Sequence, residues 1–176
     1  MSGHNKWSKI KHKKAGTDAA KSKIFSKMGR AIATASRQAN GDITSPILRT
    51  AIDKAREFNM PTDNIERAVK KGSGADAETM ENITYEAYGP AGSALIIEAL
   101  TSNRNKAAQE VKFILSEHGF ALAAQGSATW AFNKEGGDWK PNMTVPLSDE
   151  DGKILEALIE ELEDNDEVQD VYTNAE

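Results

Sequence analysis

No cysteine occurs among the 176 residues. That excludes disulfides, thiol catalysis and thiolate metal sites, and it fits a reducing, cytoplasmic setting. Histidine is nearly as scarce, with three copies. His4 and His12 have no acidic ligands close by in sequence, so no metal site is expected on them. No apolar run approaches bilayer length, so no membrane partner is expected. The N-terminus lacks the apolar segment of a secretory signal and is read as mature sequence. Ser-His-Asp order, zinc-ligand spacing and a Gly-rich phosphate loop are all missing. Gly72-Ser73-Gly74 lacks the Gly-Lys-Ser/Thr ending of a phosphate loop, and no predicted strand precedes it. These absences argue against an enzyme: no catalytic residue and no cofactor is assigned.

What is present is lysine, concentrated at one end. Residues 1–30 carry nine Lys and Arg against one acid, Asp18. A dense run of cations attracts phosphate because contact releases condensed counterions, a gain that depends on salt and not on sequence. The expected nucleic-acid contacts are Lys6, Lys9, Lys11, Lys13, Lys14, Lys21, Lys23, Lys27 and Arg30. Trp7 adds a ring that could stack on an exposed base or pack on the helical domain; His12 adds charge when protonated. The competing reading of such an arm is a solvated tail.

The net charge of -5 conceals a segregation. Residues 1–71 hold 16 Lys+Arg and 6 Asp+Glu, a balance of +10; residues 72–176 hold 6 and 21, a balance of -15. Two modules are implied, one facing a polyanion and one turned away from it.

The basic module reads as helical. Residues 1–15 have no apolar periodicity. Thr17 caps a first helix with its stripe at Ile24, Phe25, Met28, Ala31, Ile32 and Ala35. Ser45-Pro46 opens a second, with Ile47, Leu48, Ala51, Ile52, Ala55 and Phe58 inward. Thr62 or Asp63 opens a third, with Asp63 and Glu66 at capping-box spacing. It closes at Lys70-Lys71-Gly72, and 73–82 read as a linker. The acidic module, 83–176, has strands at 83–88 and 94–101 and a helix to His118. Strands at 127–133 and 142–147 flank a Gly-rich turn. A helix capped by Ser148 has core face Ile154, Leu155, Leu158, Ile159 and Leu162, and a last strand spans 168–173. That order predicts an α+β protein: a three-helix domain followed by a ferredoxin-like (split βαβ) antiparallel sheet with two helices on one face.

Several stretches resemble the YebC family, which includes the mitochondrial translational activator of cytochrome oxidase. They are the opening GHNKWSKIKHKKAGTDAAKSKIFSKMGR and Asn59-Met60-Pro61-Thr62-Asp63-Asn64-Ile65-Glu66-Arg67-Ala68. Tyr85-Glu86-Ala87-Tyr88-Gly89-Pro90-Ala91-Gly92, Thr101-Ser102-Asn103-Arg104-Asn105 and the acidic run from Leu162 to Tyr172 complete the set. One departure stands out: members of usual length carry a further α/β domain where Gly136-Gly137-Asp138-Trp139 here joins two strands directly. The resemblance implies a regulator of gene expression. One branch acts on the ribosome, through rRNA or tRNA, relieving stalling on proline-rich nascent chains; the other binds duplex DNA and regulates transcription. A protein-binding adaptor is the third reading.

Three further features are weighed against structural alternatives. Asn59-Met60-Pro61 is a candidate RNA-probing loop tip, or a pinned turn. Arg104, beside a helix N-terminus where the dipole gives a cation nothing, is a candidate phosphate contact or half of a local ion pair. The acidic run Glu160, Glu161, Glu163, Asp164, Asp166, Glu167 and Asp170 lacks the glycine and terminal glutamate of a calcium loop. It reads as a solvated face or a protein-binding patch.

Overall fold

A computed structural model describes residues 16–176. They divide into two compact units, one running to Met80 and one covering Glu81–Glu176. His4, Lys6, Trp7, Lys9, Lys11, His12, Lys13 and Lys14 lie outside the described residues.

The first unit is three helices: α1 (Asp18–Gln38), α2 (Pro46–Glu57) and α3 (Thr62–Ser73). Thr17 caps α1, its side chain accepting from the Ala20 N–H, with Asp18 on the favourable side of the dipole. Proline opens α2, where its missing N–H costs nothing. The expected capping box on α3 does not form. Pro61 is the N-cap and makes no side-chain bond, which leaves Asp63 inside the first turn. Met28, Ile32, Leu48, Ile52, Ala55, Met60, Ile65 and Ala68 make one core. Ile47, expected inward, is half exposed.

Two of these helices end the same way. At the end of α2 the Met60 N–H donates to the Ala55 carbonyl at 3.0 Å and the Asn59 N–H to that of Arg56 at 2.9 Å. Asn59 itself sits in the left-handed region at φ 60°, which asparagine tolerates. That is a Schellman cap, completed by the apolar contact of the residue beyond it. Asn40 and Gly41 repeat it on α1, with bonds to Arg37 and Ser36. Gly72 lies within α3, and a Cβ there would stand 2.1 Å from the Ala33 carbonyl oxygen. Only glycine lets α1 and α3 approach this closely.

The second unit is built on β2 (Ala94–Thr101), which pairs antiparallel with β1 (Glu81–Tyr88) on one side and β5 (Val168–Thr173) on the other. Alternation sends Leu95 and Ile97 to one face and Ala94 and Ile96 to the other. The first face is covered by α4 (Arg104–Glu117) and α5 (Asp149–Asp164) through Val111, Leu115, Leu155, Leu158 and Leu162. Ile154, expected inward, is 40% exposed. The second face is covered by Ala128, Ala131 and Phe132, with Tyr88, Trp139 and Tyr172.

The α+β class, with a helical domain followed by an antiparallel sheet and two helices on one face, is as expected; the pairing differs in detail. The neighbours β2 and β5 keep one half of the split βαβ arrangement. The predicted strand at 127–133 begins later, as β3 (Phe132–Glu135), and pairs with β4 (Asp138–Pro141) as a separate hairpin. Gly136 and Gly137, both at positive φ, make its turn, where the sequence reads as one long loop. Residues 142–147 form no strand; Val145 makes an isolated parallel bridge with Ala175, just past β5, and Leu147 packs against the core.

Two buried carboxylates hold loops in this unit. Glu86, 3% exposed, accepts from the N–H groups of Gly126, Ala128 and Thr129 at 2.5, 2.9 and 2.7 Å. Burial alone would raise its pKa, but these donors outweigh it and hold the carboxyl below its ordinary value. Glu167 accepts from Lys106 Nζ at 3.2 Å, and that bond raises the Lys106 pKa. Among the described residues, no helix is long and apolar enough to cross a membrane.

Candidate nucleic-acid interface

The described part of the helical unit, residues 16–80, carries eleven Lys and Arg against eight Asp and Glu. Most of its basic excess therefore lies in the arm before Gly16. Four of these eleven cations line a groove of about 920 Å³ walled by α1 and α3 and by residues 77–80. Lys21 and Arg30 line it from α1, Arg67 and Lys71 from α3; Asp18 and Glu78 are the acids that reach it. Spacing explains the convergence: Arg67 and Lys71 are four residues apart on one helix face, as are Ser22 and Ser26 on the opposite wall. Arg67 Nη2 donates to Asn64 Oδ1 at 2.5 Å, which aims the guanidinium along the helix. The Arg37 guanidinium donates to the Ala77 carbonyl at 2.5 Å and fixes the segment that closes the groove.

The other sequence-predicted residues part company. Lys21 is exposed and Lys23 half-buried. Lys27 is 8% exposed. It stands three residues after Ile24 and next to Met28, at the edge of the apolar stripe, so the surface role expected of it does not hold. Met60 is also buried, at 7%. Its thioether closes the Schellman cap of α2 and enters the core, so the expected exposed tip is reduced to Asn59 and Pro61, both of which are exposed. Arg104 pairs with Glu81 at 3.6 Å, the local alternative. Arg67, Lys70 and Lys71 were not among the expected contacts; their signal was the three- and four-residue spacing of cations across α3.

In the sheet unit the acidic run is partly structural. Glu167 is committed to Lys106, and Glu161 Oε2 lies 2.6 Å from His118 Nε2. Among the described residues, no group of three or more His, Asp or Glu is placed to hold a metal ion.

Similar proteins fit this geometry. Residues 5–75 match the TACO1/YebC protein N-terminal domain. Residues 80–137 and 137–175 match the TACO1/YebC second and third domain, the two stretches meeting at Gly137. A protein of Fervidobacterium nodosum named "Probable transcriptional regulatory protein" is 39% identical over 235 residues, covering 99% of this chain and 93% of its own. One of the same name from Petrotoga mobilis is 45% identical, covering 98% and 70%. The crystal structure of a conserved hypothetical protein from Aquifex aeolicus superposes with a TM-score of 0.84 at 31% identity, covering 98% of this chain and 97% of that one.

Proposed function

The chain belongs to the TACO1/YebC family, and we propose that it is a nucleic-acid-binding, non-enzymatic regulator of gene expression that acts in the cytoplasm on RNA of the ribosome. The segregation of charge carries the reading. Residues 1–71 hold +10, and residues 72–176 hold -15. A polyanion is attracted to the first and repelled by the second, so binding is one-sided. The finer role is that of a translation factor that relieves stalling on proline-rich nascent chains.

The RNA branch has its own support. A four-residue turn joins α2 to α3, so α3 stands where a recognition helix would. Recognition helices read bases with their N-terminal residues. Here those positions carry Asp63 and Glu66, both exposed, which would bring negative charge into a major groove flanked by phosphates. The DNA branch rests on the name of the relatives, "Probable transcriptional regulatory protein". The meeting of two family matches at Gly137 supports a third point: the α/β domain of longer relatives is absent between β3 and β4.

Co-sedimentation with ribosomes, set against binding to duplex DNA at physiological salt, tests the choice. Ribosome binding alone is expected; duplex binding alone would remove the translation branch. Affinity should fall steeply with salt, with a log–log slope of about -5 on a duplex if about six phosphates are contacted. Replacing Lys9, Lys11, Lys13 and Lys14 by alanine should weaken binding to all sequences alike, and wild-type affinity would end the arm's role.

A further inference from the structure

Building on that RNA-directed reading, we propose that the groove between α1 and α3 seats an unpaired base of single-stranded RNA, with the flanking phosphates on its rim. The charge of the lining selects the class of occupant. Lys21, Arg30, Arg67 and Lys71 face it against Asp18 and Glu78. An anionic strand fits this balance, and the lysine-rich arm of the same chain does not.

The interior selects the part of the strand that enters. Between the cations the walls are uncharged: Gly29, Ala33 and Ala68 keep them low, and Phe25 supplies an aromatic ring. Ser26 adds a hydroxyl, and Asn64, whose Oδ1 accepts from Arg67, adds its amide NH2; together they can meet acceptor and donor groups on the edge of a base. Phosphate binding alone needs none of these. At about 920 Å³ the space lies in the range of small-ligand pockets. A duplex, whose bases are paired and stacked inside, offers nothing to insert.

The groove is also preformed. Gly72 against the Ala33 carbonyl sets the separation of α1 and α3 through a backbone contact, and the Arg37 bond to Ala77 holds the closing segment. A site that needs no ordering on binding loses less of its interaction energy.

The test compares wild type with Ser26→Trp, in the full chain, by fluorescence anisotropy. The probes are a labelled single-stranded RNA oligonucleotide and a labelled DNA duplex. Ser26 is exposed in the groove wall, so the indole takes up part of the space beside Phe25 without a change of charge. The expected result is at least about tenfold weaker binding of the single strand, the scale of one lost stacking contact, with duplex affinity unchanged within about twofold. Unchanged affinity for the single strand would overturn the proposal, as would equal loss for both probes, which would make the groove a site for backbone charge only. Ser26→Cys is the second variant. In a chain without cysteine it carries the only thiol, and a fluorophore there should respond to the single strand and not to the duplex. The reverse response would also overturn it. Failure of the broader reading is distinct, because it appears in the wild type as binding to neither probe.

Discussion

The helical head and the sheet body use charge in opposite ways. In the head, Lys21, Arg67 and Lys71 line a groove whose interior is small and uncharged. The helices are joined through apolar stripes, Schellman caps and one glycine. In the body the most buried carboxylate, Glu86, is turned inward and satisfied by three backbone donors. Glu167, 6% exposed, is matched to Lys106. Removing charge from the body should therefore unfold loops, and removing it from the head should change binding.

The largest effect is expected at Glu86. Glu86→Gln keeps one acceptor but sets an amide donor against a backbone N–H. A buried donor left without a partner and the lost charge-assisted bonds together cost about 3–4 kcal/mol. The pH dependence follows from the lowered pKa. With the folded value below the unfolded one, the stabilisation is complete above the ordinary glutamate value and is lost as pH falls through the folded value. Acid unfolding of wild type should show this decline. Urea melts of Glu86→Gln between neutral and acid pH should lack it.

Two substitutions in the head come next. Met60→Ala should cost about 3 kcal/mol, as truncation of a buried methionine does, with nucleic-acid affinity unchanged once the fold is intact. A loss of affinity without loss of stability would restore the loop-tip reading. Gly72→Ala gains about 1 kcal/mol of helix propensity but forces apart two backbones in contact. Overpacking of that kind outweighs the gain and leaves a net cost of about 2 kcal/mol. Thermal melts followed at 222 nm measure both.

Legibility also divides along this line. In the head the helices were readable because stripes and caps are local: Thr17, Ser45-Pro46 and Asn40-Gly41 mark ends within four residues. In the body the element order was readable but the pairing of 127–147 was not. Whether that segment adds strands to the sheet depends on Glu86 gathering residues 126–129, some forty positions away, and no periodicity encodes that. The groove was half legible. The lysines of α1 were visible as charge, but Lys27 is drawn into the stripe. The contribution of α3 depends on Gly72, which reads in sequence as a helix stop.

Arg104 sharpens the comparison at its weakest point, a body cation that could belong to either pattern. Its guanidinium lies 3.6 Å from the Glu81 carboxylate, with 66% and 48% of the two side chains exposed. Exposed pairs contribute less than about 1 kcal/mol because solvent screens them and two long side chains must be held in place. Arg104→Ala should therefore shift the melting midpoint slightly, and Glu81→Ala should do the same. The double variant should cost no more than the larger single one, the signature of a coupled pair. Binding to the single-stranded probe decides the rest. If it is unmoved, Arg104 belongs with Glu86 and Glu167 among charges matched inside the body. If it falls while stability holds, the body carries a binding cation of its own, and the division of labour drawn from charge along the chain is too sharp.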